Sequence, residues 1–324
     1  MPPITQGSAP GPRKDTAGDG ATVGPQRVEL AGRNVSRVAF GAARLTAGDG
    51  WGVPEDISAS RNLLRSAIDL GYDYIDTADS LGPGVSEAVI GDVVGNSDRV
   101  LVATKVGMLR PSATRWGVLG HPDYLRQQVR NSLLRLRRDR IDLVYLHRID
   151  PAYPLADQLG ALQELRDEGL VGHIGVSEPT PAQLEEVFDI ETPAVVQSVY
   201  NLVERRNGEI ITTLGDRGIP FVAYWPLLGR GVSRSVYDAI HRQLRPTAQR
   251  LGTTTHALSL AWIFGRHPLS LAVVGSRDPR HLAANRAAAD LTLDDAVLDE
   301  ITAAVDAVCD PSTAFNPARS KDDK

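Results

Sequence analysis

Lysine is nearly absent from this chain. Only four of its 35 basic residues are lysine, and Lys105 is the only one between Lys14 and Lys321. Cysteine is scarcer still. Cys309 stands alone, which excludes a disulfide framework and a cysteine-based metal site. No apolar run is long enough to span a bilayer. The first residues lack the charged-then-apolar order of a signal peptide, so a cytoplasmic location is expected. With a formal charge of −5 and a pI near 5.8, the chain has no electrostatic footprint for nucleic acid. The partner to expect is a small-molecule substrate, with the chain a monomer or a weak homo-oligomer.

The 324 residues, 42% of them hydrophobic, suffice for one barrel-sized domain or two smaller ones. Residues 1–26 are rich in Gly, Pro, Ala and Thr without periodic apolar positions, and cannot bury enough surface to offset ordering entropy. They read as a disordered tail, as do residues 311–324. Residues 27–310 alternate two periods. Strand candidates are Val38-Ala39-Phe40, Tyr72 to Thr77, Val100 to Val106, Asp142 to His147, Ile174 to Ser177, Val195 to Tyr200, Phe221 to Trp225 and Leu271 to Val274. Between most of them lie helical spacings such as Leu125, Val129, Leu133 and Leu136. Gly71 and Gly169 stand where helix C-caps belong. This is the pattern of an α/β fold, a (β/α)8 TIM barrel. The earlier Val28 to Arg37 segment, turned by Gly32-Arg33-Asn34, reads as a β-hairpin capping the barrel's bottom. A doubly wound sheet would show a G-x-G-x-x-G turn after its first strand, and Gly41-Ala42-Ala43-Arg44 is not one.

Three apolar, β-prone runs end in ionisable residues: Tyr74-Ile75-Asp76, Val102-Ala103-Thr104-Lys105 and Leu143-Val144-Tyr145-Leu146-His147. In a barrel, catalytic groups gather where strands end. A lysine kept in an arginine-using chain points to chemistry, because a buried ammonium can shift its pKa whereas a guanidinium stays charged. Asp76, Lys105 and His147 therefore read as one site. Tyr74 shares the strand face of Asp76 and is expected to pack inside the barrel. Trp51, Trp116 and Trp225 are candidates for a substrate pocket. The arginines at 126, 130, 135, 137, 138 and 140 read as a solvated helix face.

Taken in order, several segments resemble the aldo-keto reductase family over roughly residues 27 to 310. They are Ile75-Asp76-Thr77-Ala78-Asp79-Ser80 with Gly82-Pro83-Gly84-Val85-Ser86-Glu87, Ala103-Thr104-Lys105, Leu146-His147-Arg148-Ile149-Asp150, His173-Ile174-Gly175-Val176-Ser177-Glu178, Gln197-Ser198-Val199-Tyr200-Asn201 and Val274-Gly275-Ser276. The chain is most similar to the bacterial branch with His-Arg-Ile-Asp after the fourth strand. The resemblance implies an oxidoreductase that uses NADP(H) in preference to NAD(H). It implies catalytic roles for Asp76, Lys105 and His147, with a tyrosine expected five residues after the aspartate. Leu81 occupies that position. A phenol there would protonate the carbonyl oxygen as hydride reaches carbon; leucine has no proton to give, and losing a general acid costs about 10²- to 10⁴-fold in rate. The resemblance further implies cofactor contacts at Gly41, Ala42, Ser177, Glu178, Gln197, Tyr224, Leu227, Ser276, Arg277, Arg280 and Asn285. Two arginines in the last group favour a 2′-phosphate.

The reading that follows is an NADPH-dependent oxidoreductase impaired on simple carbonyls. It acts on an unusual acceptor, an iminium or a specialised-metabolite carbonyl, or is an inactivated variant. Two alternatives stand beside it: a non-redox lyase or isomerase using Lys105 and His147, and an NADPH-binding pseudo-enzyme.

Overall fold

The computed structural model describes residues 21–23, 27–48, 50–229 and 231–310, the first group by its backbone only. Eight parallel strands close into a barrel in the order β10-β11-β12-β13-β4-β5-β6-β9. In chain order they are β4 (Val38–Gly41), β5 (Tyr74–Asp76), β6 (Leu101–Val106), β9 (Ile141–Leu146), β10 (Val171–Ser177), β11 (Val196–Val199), β12 (Phe221–Tyr224) and β13 (Ser270–Val274). All eight strand candidates are present with ends shifted by up to two residues, except that β10 begins three residues earlier, at Val171.

Helices follow the strands: α1 (Ile57–Asp69), α2 (Val85–Val93), α3 (Pro122–Leu136), α4 (Leu155–Asp167), α5 (Pro181–Ile190), α6 (Gly208–Asp216), α7 (Arg234–Arg250), α8 (Thr255–Arg266), α9 (Pro279–Ala287) and α10 (Asp295–Asp306). Local chemistry sets their starts. Asp56 accepts from the Ala59 amide at 2.9 Å, and Thr180 with Gln183 forms a reciprocal capping box ahead of α5, each such cap worth about 1 kcal/mol. Gly71, at φ 89°, takes the left-handed turn after α1 that leads the chain into β5. No helix among the described residues is long and apolar enough to cross a membrane.

Period-two alternation divides the core into two layers. In β6, Leu101 and Ala103 join the barrel interior with Tyr74, Leu143, Tyr145, Val195, Val222 and Leu271, while Val102 and Val106 face the helices. The same parity aims Asp76, Lys105 and His147 inward, one step beyond the apolar filling, at the strands' C-terminal ends.

A small antiparallel hairpin, β2 (Arg27–Leu30) and β3 (Arg33–Ser36), closes the bottom, and its Val28, Leu30 and Val35 belong to the interior cluster. Its turn is Ala31-Gly32, with φ 49° and 72°, so Arg33 and Asn34 sit in the strand and not in the turn expected from the sequence. Two positive φ values suit the right-handed twist of a two-residue hairpin.

Two further pairings were not anticipated. β7 (Met108–Leu109) and β8 (Gly117–Val118) form a hairpin after β6, and β1 (Ala21–Val23) pairs with β14 (Leu291–Leu293). β1 falls within the stretch read as a tail. The remaining residues of both expected tails lie outside the described residues.

Of the arginines on and just after α3, Arg130, Arg137 and Arg140 are exposed, as expected, while Arg138 is buried and Arg126 and Arg135 are partly so. Arg126 pairs with Glu164, Arg130 with Glu168, Arg135 with Glu87, Arg137 with Asp92 and Arg138 with Asp142. They tie α3 to α4 on one side and to α2 on the other, with Asp142 reached in β9.

Candidate active site

Asp76 ends β5 and receives three side-chain donors. Lys105 Nζ lies 2.5 Å from Oδ1, and Gln197 Nε2 and the Tyr74 hydroxyl approach Oδ2 at 2.9 and 3.3 Å. Lys105 also donates to the Thr77 carbonyl at 2.9 Å. Lysine and aspartate are both buried, so their attraction is little screened by water. Burial lowers the Lys105 pKa, with Asp76 pulling the other way. The ammonium is thus a readier proton donor than a free lysine, held by a carboxylate that keeps it charged.

Beneath this pair lies a ring of hydrogen bonds. Tyr74 spends its proton on Asp76, so across the 3.0 Å contact it accepts from the Tyr145 hydroxyl, which in turn bonds to Gln197. Gln197 returns to Asp76 and closes the ring. Burial raises both phenols far above their ordinary pKa, and they serve as fixed neutral dipoles. Tyr74 does pack inside the barrel, as expected from its face. Tyr145 was overlooked, although it stands two residues before His147 and so shares its face.

His147 follows β9. Its pKa is pushed well below the usual imidazole value by burial, then by Lys105 and Arg148, so it is neutral at working pH. Its Nδ1 is buried without a hydrogen-bond partner. The adjoining Arg148, given no role by the sequence, crosses the mouth. It donates to the His147 carbonyl at 2.6 Å, to Ser177 Oγ at 3.1 Å and, more weakly, to the Tyr224 hydroxyl at 3.5 Å. Ser177 and Tyr224 therefore end two strands at one opening, with Gln197 near the start of β11 between them. Glu178 accepts from the Val199 amide at 2.5 Å and bonds the Tyr224 hydroxyl. Glu178, Trp225 and Leu228 hold φ of 55°, 52° and 67°, strain that non-glycine residues keep only where surrounding structure imposes it.

Leu81 is half-buried at the start of the α2 loop. Gly82 donates to the Gly50 carbonyl at 2.8 Å, and a Cβ on Gly50 would lie 3.3 Å from the Leu81 side chain and 3.1 Å from Arg110. The Arg110 guanidinium lies 5.5 Å from the Trp51 ring and 4.1 Å from that of Trp116. Two of the three tryptophans thus flank a guanidinium beside Leu81. Trp225 instead packs edge-on against Tyr224 at 5.7 Å.

The other residues form a second group at the end of β13 and on α9. Arg277 donates to the Thr46 carbonyl at 3.0 Å, and Ser276 Oγ accepts from the Asp278 amide at 3.0 Å. Arg280 pairs with Asp278 at 2.7 Å, and Asn285 is buried. Gly41 ends β4 in register with Asp76, the Ala42 carbonyl accepts from Ser86 Oγ, and Leu227 packs half-buried on the core. Among the described residues no group of three or more His, Cys, Asp or Glu is placed to hold a metal ion.

Residues 37–306 match the model of the aldo/keto reductase family. An uncharacterized oxidoreductase of Schizosaccharomyces pombe is 35% identical over 271 residues, covering 82% of this chain and 86% of that protein. Pyridoxine 4-dehydrogenase of Escherichia coli is 32% identical over 279 residues, covering 84% and 96%. Among solved structures, an aldo-keto reductase from Klebsiella pneumoniae in complex with NADPH superposes with a TM-score of 0.72 at 26% identity, covering 90% of this chain and 99% of that one. The match extends from the first barrel strand to the last helix, and on that ground the chain belongs to the aldo/keto reductase family.

Proposed function

We propose that the protein is an NADPH-dependent oxidoreductase whose substrate is not a simple aldehyde or ketone, with Lys105 supplying the proton that a phenol at position 81 cannot. The observation that carries the reading is Lys105 held by Asp76 at 2.5 Å, with Leu81 where the family's general acid would stand.

The residues present fit a nicotinamide cofactor. With Gln197 Nε2 engaged by Asp76, its carbonyl oxygen is the acceptor for a carboxamide N–H, and Ser177 Oγ offers a second polar contact. The Tyr224 ring supplies an aromatic face. At the far end, Arg277 and Arg280 are the cations for a 2′-phosphate, and Asn285 is the polar side chain for an adenine edge. The relative bound to NADPH supports the same choice. When bound, the cofactor supplies or accepts hydride.

The chain's own residues manage the proton. Reduction of a carbonyl needs one proton on oxygen for each hydride on carbon. Lys105 carries that proton at a lowered pKa, Asp76 fixes its direction, and neutral His147 offers a polar contact without adding charge. The ring through Gln197, Tyr145 and Tyr74 holds Asp76 still. A lysine remains a weaker acid than a phenol tuned for this task, and turnover on simple carbonyls is accordingly low.

Fluorescence titration with NADPH and with NADH tests the reading. Saturable binding, tighter for NADPH, supports it. Binding of neither would overturn it and leave Lys105 and His147 to cofactor-free acid–base chemistry, the reading that Leu81 favours.

A further inference from the structure

Arg148 differs from the arginines of the helix layer, although Arg37, just ahead of the first barrel strand, is likewise held by carbonyl oxygens alone. Arg135 has Glu87, Arg138 has Asp142 and Arg126 has Glu164. Arg148, half-buried in the mouth, is satisfied by neutral oxygens alone, those of His147, Ser177 and Tyr224. Among the described residues it has no carboxylate partner. A guanidinium withdrawn from water is ordinarily paired.

Lys105 is balanced by Asp76, and His147 is neutral. The Glu178 carboxylate faces the Val199 amide and reaches Arg148 only through the Tyr224 hydroxyl. The mouth therefore presents a guanidinium with no carboxylate in direct contact among the described residues, a planar fork that pairs carboxylates and phosphates through two parallel N–H bonds. An iminium or a neutral acceptor would leave this fork without a direct anionic partner.

We propose that the substrate carries an anionic substituent, a carboxylate or a phosphate, that Arg148 recognises while the reducible group faces Lys105. This rests on the cofactor-dependent reading above and adds the substrate's chemical class. Ser177 and Tyr224 now hold Arg148 and are also the groups that fit the nicotinamide. Cofactor entry thus frees the guanidinium for the substrate.

Two matched aldehyde pairs test it on the full chain: 4-carboxybenzaldehyde against benzaldehyde, and glyceraldehyde 3-phosphate against glyceraldehyde. On the enzyme–NADP⁺ complex no hydride is available to reduce the aldehyde, so dissociation constants report binding without reduction. The expected result is that the anionic member of at least one pair binds about 10- to 100-fold more tightly, as a charged hydrogen bond provides. Which pair responds separates carboxylate from phosphate. In Arg148→Gln the ratio within that pair should fall to about one, and Arg148→Lys should restore part of it. Because the ratio is taken within one variant, a change in cofactor affinity cancels. Equal binding within both pairs, or a preference that survives in Arg148→Gln, overturns the proposal. Failure to bind NADP⁺ at all is seen before any aldehyde is added, and removes the cofactor reading together with this one.

Discussion

Leucine at position 81 is smaller than tyrosine and sits half-buried against Gly50, next to the Arg110 and tryptophan stack. If the rest of the site is intact, Leu81→Tyr should raise kcat/KM for simple aldehydes by about 10²- to 10⁴-fold, the usual contribution of a general acid. Steady-state kinetics on one aliphatic and one aromatic aldehyde decide it. An unchanged rate would mean that position 81 does not face the reacting carbonyl. A second residue, Gly175, is fixed by packing. A Cβ there would come within 2.8 Å of the Tyr145 ring and 2.9 Å of Val195, so Gly175→Ala should lower stability by about 1–3 kcal/mol through overpacking. It should also loosen the Tyr145 hydroxyl from Tyr74, and through it Tyr74 from Asp76. Chemical unfolding that shows no loss would mean Tyr145 has room to move.

At the scale of elements, the ion pairs of α3 are unequal. Glu87, on α2, is fully buried between Arg135 and the Thr104 hydroxyl, which donates to it at 2.5 Å. Arg135→Ala strands that carboxylate and should cost about 3 kcal/mol, the low end for a broken buried pair because Arg135 keeps some solvent contact. Arg130, paired with Glu168 where both are about half exposed, should cost under about 1 kcal/mol when removed. Urea midpoints of the two variants test the contrast, and equal losses would refute it. The same helix shows what the sequence could disclose. Its apolar spacing was readable because Leu125, Val129, Leu133 and Leu136 repeat every three or four residues. The arginines on and after it were read only in part: Arg130, Arg137 and Arg140 are exposed as expected, whereas Arg135 and Arg138 are held by partners on other elements. The eight strands were legible since each is a short apolar run between turn signals, and Asp76, Lys105 and His147 were legible as a set because strand parity and strand ends converge in a barrel. Arg148 follows the last inward position of its strand, so no periodicity assigns it a face. The β7–β8 hairpin is two residues per strand and has no period to detect. Pro246 would ordinarily stop a helix, yet α7 runs through it to Arg250, with Leu244 and Ala248 buried on either side.

For the whole molecule, histidines partly or fully withdrawn from water couple stability to acidity. His241 is pushed down to about 4 by burial and by the neighbouring His256, whose ring centroid lies 4.6 Å away. The pKa values of His256, His267 and His147 are lowered too, each chiefly by burial. Between the ordinary value near 6.5 and these depressed values, the unfolded chain binds protons that the folded chain does not. Stability therefore falls as pH falls through that window. Asp79 acts in the opposite sense, because burial and the nearby Glu87 raise its pKa. Its proton binds the folded state first and adds stability as pH drops toward its unfolded value near 3.9. Four groups oppose one, and the net expectation is a lower urea midpoint at pH 5 than at pH 7.5. His241→Gln removes one of the four. Whatever it does to stability at pH 7.5, it should make the decline between pH 6.5 and about 4 shallower. A decline as steep as that of the parent chain would show that His241 does not resist protonation in the folded state, and a midpoint that rises toward pH 5 would give the larger share of the coupling to Asp79.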